Sequence, residues 1–302
     1  MSFEKSIRED FSDIPVLLFS GGDGTRVENL SYKNVVPSKQ WLPIGFDENN
    51  EPIPLFLPNL EIFLELGFKE FYIIVKKEGE KVKKYFEKKL KGKEVNIQLL
   101  NKESLLKQSK IEGVNIYIFE NYEEGIGDQI LALESVIKNR LFLKVYGDEY
   151  FGGEKEKVKS EFKSFIEYAL EKIEKEKAIE VFAFVDKKIA IGNIWKGFGI
   201  EGDKREGKII KIDESSFMIT SISIISPKFL DILHSEKKEF IPLDVNSKEV
   251  DNKVYGSQMA YGKVIDVEVF SNVNTDKDYS KLVSYLANKN YNDRKLKSTL
   301  LT

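Results

Sequence analysis

Gly21-Gly22-Asp23-Gly24-Thr25-Arg26 follows directly on the apolar run Ile14 to Ser20, and Lys39 stands thirteen residues after Arg26. Three glycines within four positions let a backbone approach a ligand closely and turn its N–H groups toward it. Arg26, one of only five arginines in the chain, and Lys39 add two cations to the same early stretch. This chemistry suits a ligand with several anionic oxygens. Two common phosphate loops do not fit. The dinucleotide fingerprint needs a third glycine where Val27 stands, and no Gly-Lys-Ser/Thr follows Gly21 or Gly22 at the P-loop spacing. Further along, "LFLKVY" runs straight into Gly147-Asp148. An acidic residue just past a buried strand is a common turn element.

Composition removes other chemistries. With no cysteine, disulfides, thiol nucleophiles and Cys/His zinc sites are excluded. The single histidine, His234, sits in "PKFLDILHSEKK", where it reads as a surface residue in the last turn of a helix. A net charge of −3 carries no nucleic-acid footprint, and the Lys/Glu-rich runs read as solvated helix faces. The charged start "MSFEKSIREDF" and the lack of a long apolar run predict a cytoplasmic protein with no membrane segment.

The elements that must position these residues alternate. "IPVLLFS", "EFYIIV", "VNIQLL", "VNIYIF" and "LFLKVY" read as strands of a parallel sheet. "LPNLEIFLELGF", "EKVKKYFEKKL" and "DQILALESVIK" read as helices between them, the last with Asp128 capping its start. A long helix from about 154 to 177 carries an apolar stripe at Val158, Phe162, Ile166, Ala169 and Ile173. "IEVFAFV", "GKIIKID" and "FMITSISIIS" are β-rich, a short helix begins at Pro227, and "YGKVIDVEVF" reads as one last strand. Thr275 and Asp278 form a capping-box-like start to the final helix. The alternation predicts an α/β, Rossmann-like, mostly parallel (mixed) sheet with helices on both faces. A single domain over 1–302 is expected, with a nucleotide-binding part at about 12–150, a β-rich part at about 178–275 and a C-terminal helix at about 276–292.

Gly-Gly-x-Gly-Thr-Arg followed by "SKQWLPIG" (Ser38 to Gly45) resembles the signature of the sugar-1-phosphate nucleotidyltransferases. The wording is most similar to that of the glucose-1-phosphate thymidylyl- and uridylyltransferases. The resemblance implies a nucleotide-diphospho-sugar transferase fold and the formation of an NDP-sugar and pyrophosphate from an NTP and a sugar 1-phosphate. UTP or dTTP is the favoured nucleotide, glucose 1-phosphate the expected sugar phosphate, and Mg2+ the cofactor. Arg26 and Lys39 would be catalytic. Ser20, Gly21, Gly22, Gly24, Thr25, Glu120 and Gly125 would face the nucleotide, with Gly127 near them. "KGFGIEGDKREGKIIKIDES" and "MITSISII" resemble the sugar-binding stretches and imply Phe198, Gly199, Glu214 and Thr220. Asp148 would be one metal ligand. "FSNVNTDKDYSKL" resembles the closing element that carries the second, implying Asn272 or Asn274. The partners are then small molecules, with no nucleic acid or membrane, and homo-oligomerisation stays open.

Three positions depart from the family's pattern. Ser215 replaces the lysine of a Glu-Lys pair, leaving Lys208 and Lys211 as substitutes. Asn272 stands where the closest relatives carry a metal-binding aspartate, and "FDENNE" interrupts the stretch after LPI. Two alternatives follow: a nucleotide-binding relative without catalysis, and another nucleotidyltransferase, including one that uses GTP. Glu120 bears on the second, because an ionised carboxylate only accepts hydrogen bonds and suits the adjacent donors of guanine.

Overall fold

The structure, a computed structural model, describes residues 11–20, 38–47, 49–123, 125–192, 197–212, 214–237, 250, 253–254 and 259–293. Its strands are β1 (Val16–Phe19), β2 (Pro43–Phe46), β3 (Pro52–Pro54), β4 (Glu70–Val75), β5 (Val95–Leu100), β6 (Val114–Glu120), β7 (Phe142–Tyr146) and β8 (Glu149–Gly152). After a long helix come β9 (Glu180–Asp186), β10 (Ala190–Gly192), β11 (Gly197–Ile200), β12 (Glu206–Ile212), β13 (Phe217–Ile225), β14 (Ala260–Val264) and β15 (Val269–Asn272). The helices are α1 (Leu57–Glu65), α2 (Gly79–Lys89), α3 (Ile126–Ala132), α4 (Glu134–Ile137), α5 (Lys155–Lys175), α6 (Lys228–Glu236) and α7 (Asp276–Asp293).

Ten strands form one sheet in the order β11-β12-β14-β9-β13-β7-β1-β4-β6-β5. Only β12 and β13 run against the rest. The near-continuous apolar strands explain the burial of both faces. Val16 and Leu18 face one core with Phe71, Ile73 and Ile116, covered by α1, α2 and α5. Leu17 and Phe19 face the other with Tyr72, Ile74 and Tyr117, covered by α3, α4 and α6. The α/β expectation holds.

Local differences have physical causes. α3 starts at Ile126 with Gly125 as its extended N-cap, and Asp128 lies buried in the first turn, paired with Lys237. The expected single helix "DQILALESVIK" breaks at Leu133 into α3 and α4. "YGKVIDVEVF" is two strands. β14 extends the large sheet, whereas β15 pairs with β8 and β10 in a separate three-stranded sheet. "FDENNE" closes the β2–β3 hairpin, where Asp47 Oδ1 accepts from the N–H groups of Asn49 and Glu51 at 2.9 Å each. The capping box at Thr275 is present: Thr275 N donates to Asp278 Oδ2 at 3.0 Å, and Asp278 N donates to Thr275 Oγ1 at 3.2 Å. Among the described residues no helix is long and apolar enough to cross a membrane.

Candidate active site

The order β6-β4-β1-β7 contains a topological switch. From β1 the chain moves to β4 and β6 on one side, then returns to β7 on the other side of β1. Ligands of open α/β sheets bind at such points, beyond the carboxyl ends of the strands. Ser20 follows β1 and Gly147-Asp148 follow β7, so the sequence places its chemistry at that crevice.

Lys39 opens a 3-10 turn, Lys39–Trp41, that lies against this edge. Ser38 Oγ donates to the Ser20 carbonyl at 2.5 Å, and Trp41 packs edge-on against Phe56 at 4.8 Å and Tyr85 at 5.1 Å. Gly147 permits the close approach. A Cβ there would lie 3.0 Å from Gln40 Cγ and 3.3 Å from Phe56 Cβ. From the anchored turn the Lys39 ammonium reaches Asp148 Oδ2 at 2.5 Å, Asn274 Oδ1 at 3.3 Å and the Val273 carbonyl at 3.3 Å. Val273 N donates to the Asp148 carbonyl at 2.8 Å, which ties the chain after β15 to the chain after β7. Lys39, Asp148, Asn272 and Asn274 therefore converge from three distant segments.

A residue that sequence reasoning passed over lies beside them. Glu149 is 1% exposed and directly opposite Asn272 in the antiparallel β8–β15 register. Its Oε1 accepts from Asn272 Nδ2 at 3.2 Å, and both of its oxygens accept from Ser221 N at 3.0 Å. Burial pushes the Glu149 carboxyl up to about 8, against the hydrogen bonds from Ser221 and Asn272, which favour its ionised form. The register of β13 against β9 shifts between Ile219 and Ser223, and this irregularity frees the Ser221 N–H. Thr220 supports it, donating to the Ala183 carbonyl at 2.9 Å and accepting from Ile222 N at 3.2 Å. The available signal was the second acid of "GDEYF".

The donor set fits a hard divalent cation. Asp148 Oδ1 is buried and has no hydrogen-bond partner among the described residues, and the neighbouring amides supply neutral oxygens. Magnesium accepts one or two carboxylates with waters and phosphates. Among the described residues no group of three His, Cys, Asp or Glu side chains gathers for a metal.

The other predicted residues separate. Arg26, Gly21, Gly22, Gly24 and Thr25 lie outside the described residues. Ser20 is buried at the end of β1. Glu120 ends β6, and its Oε1 accepts from Gly79 N at 2.8 Å, so it caps α2 instead of pairing with a lysine. Gly79 suits that contact, since a Cβ there would meet Glu120 Cγ at 2.9 Å. Gly125 and Gly127 form the start of α3. Phe198 and Gly199 lie on β11, five positions from β7 in the strand order. Gly199 approaches Ser215, whose Oγ donates to Asp203 at 3.0 Å, and Lys211 stands across from Phe198 in register. Glu214 is exposed. His234 is a surface residue beside Glu134, at 3.1 Å.

No family model and no curated protein sequence matches this chain. Solved structures do. A candidate glucose-1-phosphate thymidylyltransferase from Bacillus anthracis superposes with a TM-score of 0.61 at 14% identity, over 90% of this chain and 95% of that one. A UDP-glucose pyrophosphorylase gives 0.60 at 18% identity, over 91% and 99%. The inositol-1-phosphate CTP transferase of T. maritima gives 0.57 at 14% identity, over 92% and 97%. Sequence motif, strand order and these superpositions agree: the chain has the fold of the sugar-phosphate nucleotidyltransferases.

Proposed function

We propose that this protein transfers a nucleotidyl group from a nucleoside triphosphate to a sugar 1-phosphate, releasing pyrophosphate. One observation carries the reading: the Lys39 ammonium, Asp148, Asn272 and Asn274 meet at the switch point of a nucleotidyltransferase fold. An oxygen of the sugar phosphate attacks the α-phosphorus, forming one P–O bond as the bond to the β-phosphate oxygen breaks. The attacking phosphate is already ionised near neutral pH, so no general base is needed. What the protein supplies is position and positive charge.

Lys39, a compact point charge, is assigned to the α-phosphate and the incoming phosphate. Arg26 and the amides of Gly21 to Thr25 are assigned to the β- and γ-phosphates. Asp148, with an amide oxygen of Asn272 or Asn274, would hold magnesium, which supplies charge neutralisation on the triphosphate when bound. Phe198, Gly199 and Glu214 are assigned to the sugar phosphate, with Lys211 in place of the lysine missing at position 215. UTP or dTTP with glucose 1-phosphate is the favoured pair. The T. maritima neighbour, described as acting on inositol 1-phosphate, makes a polyol phosphate the next acceptor to try.

The test is pyrophosphate release across UTP, dTTP, CTP, GTP and ATP, each with a panel of sugar and polyol 1-phosphates. Magnesium-dependent turnover with one pair is expected. Nucleotide binding without turnover on any pair would favour the non-catalytic reading that Ser215 and Asn272 suggest.

A further inference from the structure

Glu149 begins a hydrogen-bond chain that reaches Lys39 through two asparagines. Asn272 Nδ2 donates to Glu149 Oε1 at 3.2 Å. Asn274 Nδ2 donates to Asn272 Oδ1 at 2.5 Å, and Lys39 Nζ donates to Asn274 Oδ1 at 3.3 Å. Each asparagine amide has one donor end and one acceptor end, and either end fits the same space. Their direction must therefore be set from outside the pair.

The two ends of the chain do so consistently. Lys39 is donor-only, so Asn274 must turn its oxygen toward it. Glu149 Oε1 is an acceptor whether or not Oε2 carries a proton, so Asn272 must turn its nitrogen toward Glu149. With both directions fixed, the middle contact is N–H to oxygen. If Asn272 turned over, its nitrogen would face the Asn274 nitrogen, and one amide would lose its partner inside a buried strand pair. An unpaired buried polar group is expensive.

Glu149 is itself held. It is 1% exposed, receives Ser221 N on both oxygens, and sits across from Asn272 in the β8–β15 ladder. A carboxylate placed for packing alone would not need the strand irregularity that presents Ser221 N–H. We infer that Glu149 is a positioning residue: its Oε1 fixes the direction of the Asn272 amide, whose oxygen then holds the Asn274 nitrogen and keeps the Asn274 oxygen on the Lys39 ammonium. The inference rests on the proposed reaction only for its kinetic readout.

Four variants test it. Glu149→Gln keeps an oxygen that can accept from Asn272 and Ser221, so kcat should stay within about threefold of wild type. Glu149→Met has similar length and no acceptor, so kcat should fall at least tenfold while KM for the triphosphate moves little. Measured against Asn272→Asp alone, the double variant Glu149→Met with Asn272→Asp should lose less than about threefold, because a carboxylate at 272 accepts from Asn274 without needing its direction set. Loss of buried charge alone would lower Glu149→Gln as far as Glu149→Met, and loss of packing alone would make Glu149→Met cost as much in the Asn272→Asp background as in wild type. Either result overturns the inference.

A second readout is independent of turnover. In 15N spectra of uniformly labelled protein, the Asn274 side-chain amide resonances should move in Glu149→Met, stay in Glu149→Gln and return in the double variant. Unmoved resonances in a folded Glu149→Met overturn the inference even if no substrate pair has been found. If the wild type turns nothing over while the resonances behave as expected, the proposed reaction fails and the positioning role stands.

Discussion

Lys39 is held by a carboxylate, an amide oxygen and a backbone carbonyl, all from segments more than a hundred residues away. In the proposed reaction a charge fixed this way would meet the transferring phosphorus without reorganising, so Lys39→Ala should lower kcat by about 10²-fold or more, the scale of one preorganised electrostatic contact. Arg26→Ala should instead raise KM for the triphosphate. Steady-state kinetics of the two variants separates these roles, and an unchanged kcat in Lys39→Ala would remove it from the transferring phosphate. Asp148→Asn should lose turnover by orders of magnitude with the fold intact by circular dichroism; near-normal activity at ordinary magnesium would refute the metal assignment. Glu120 is a finer case. One oxygen is committed to Gly79 N, and the carboxylate can only accept. Glu120→Gln is expected to shift kcat/KM toward UTP and dTTP over GTP by about tenfold, the scale of one polar contact. An unchanged ratio assigns Glu120 wholly to capping α2. At this scale the sequence singled out Lys39 and Asp148, which the fold brings together. It was silent on Glu149, because cross-strand pairing with Asn272 depends on a register that no local pattern encodes.

Elements were legible wherever apolar period and burial coincide. The stripe Val158, Phe162, Ile166 and Ala169 of α5 is buried as its spacing predicts. "YGKVIDVEVF" misled because its β-rich composition continues across the change of sheet between Val264 and Val269. The hairpin β2–β3 shows another limit, since "FDENNE" signals a turn but not what the turn covers. With α1 and α2 it borders an open pocket of about 260 Å³ lined by Leu60, Glu61, Tyr85 and Phe86. Burial there pushes the Glu61 carboxyl up to about 7, against the fields of Lys155, Lys89 and Lys93. Between pH 4.5 and 7 the folded state then binds more protons at Glu61 than the unfolded chain. Its contribution is complete below about pH 4.5 and is lost as pH rises through about 7. Glu61→Gln removes that proton uptake, so the variant should gain roughly 1–3 kcal/mol over wild type at pH 8 and little at pH 4.5. Urea titrations at the two pH values measure the difference. An equal gain at both would mean that Glu61 ionises normally.

At the scale of the molecule, the candidate-site cluster joins Lys39 to Asn274 across most of the chain, and α7 is what closes that circuit. Leu282 and Leu286 of α7 bury against Leu42, Leu55 and Val273, and Tyr279 Oη donates to the Pro43 carbonyl at 2.5 Å. One helix thus fixes both the segment after Lys39 and the segment between Asn272 and Asn274. The sequence announced the helix through its capping box and announced the SKQWLPI segment through its motif. It did not announce that they touch, because their contact depends on the whole sheet being assembled between them. Leu282→Ala should cost roughly 2–5 kcal/mol, the range for deleting a buried leucine side chain. The same cavity loosens the frame of Lys39, so kcat should fall several-fold at temperatures where the variant is fully folded. The control is Leu233→Ala on α6, equally buried but in a separate core, with a similar expected loss in denaturant midpoint and kcat near wild type. If both variants lose stability and neither loses kcat, α7 is a stabilising element only, and the position of Lys39 is set by its own turn and by Asp148.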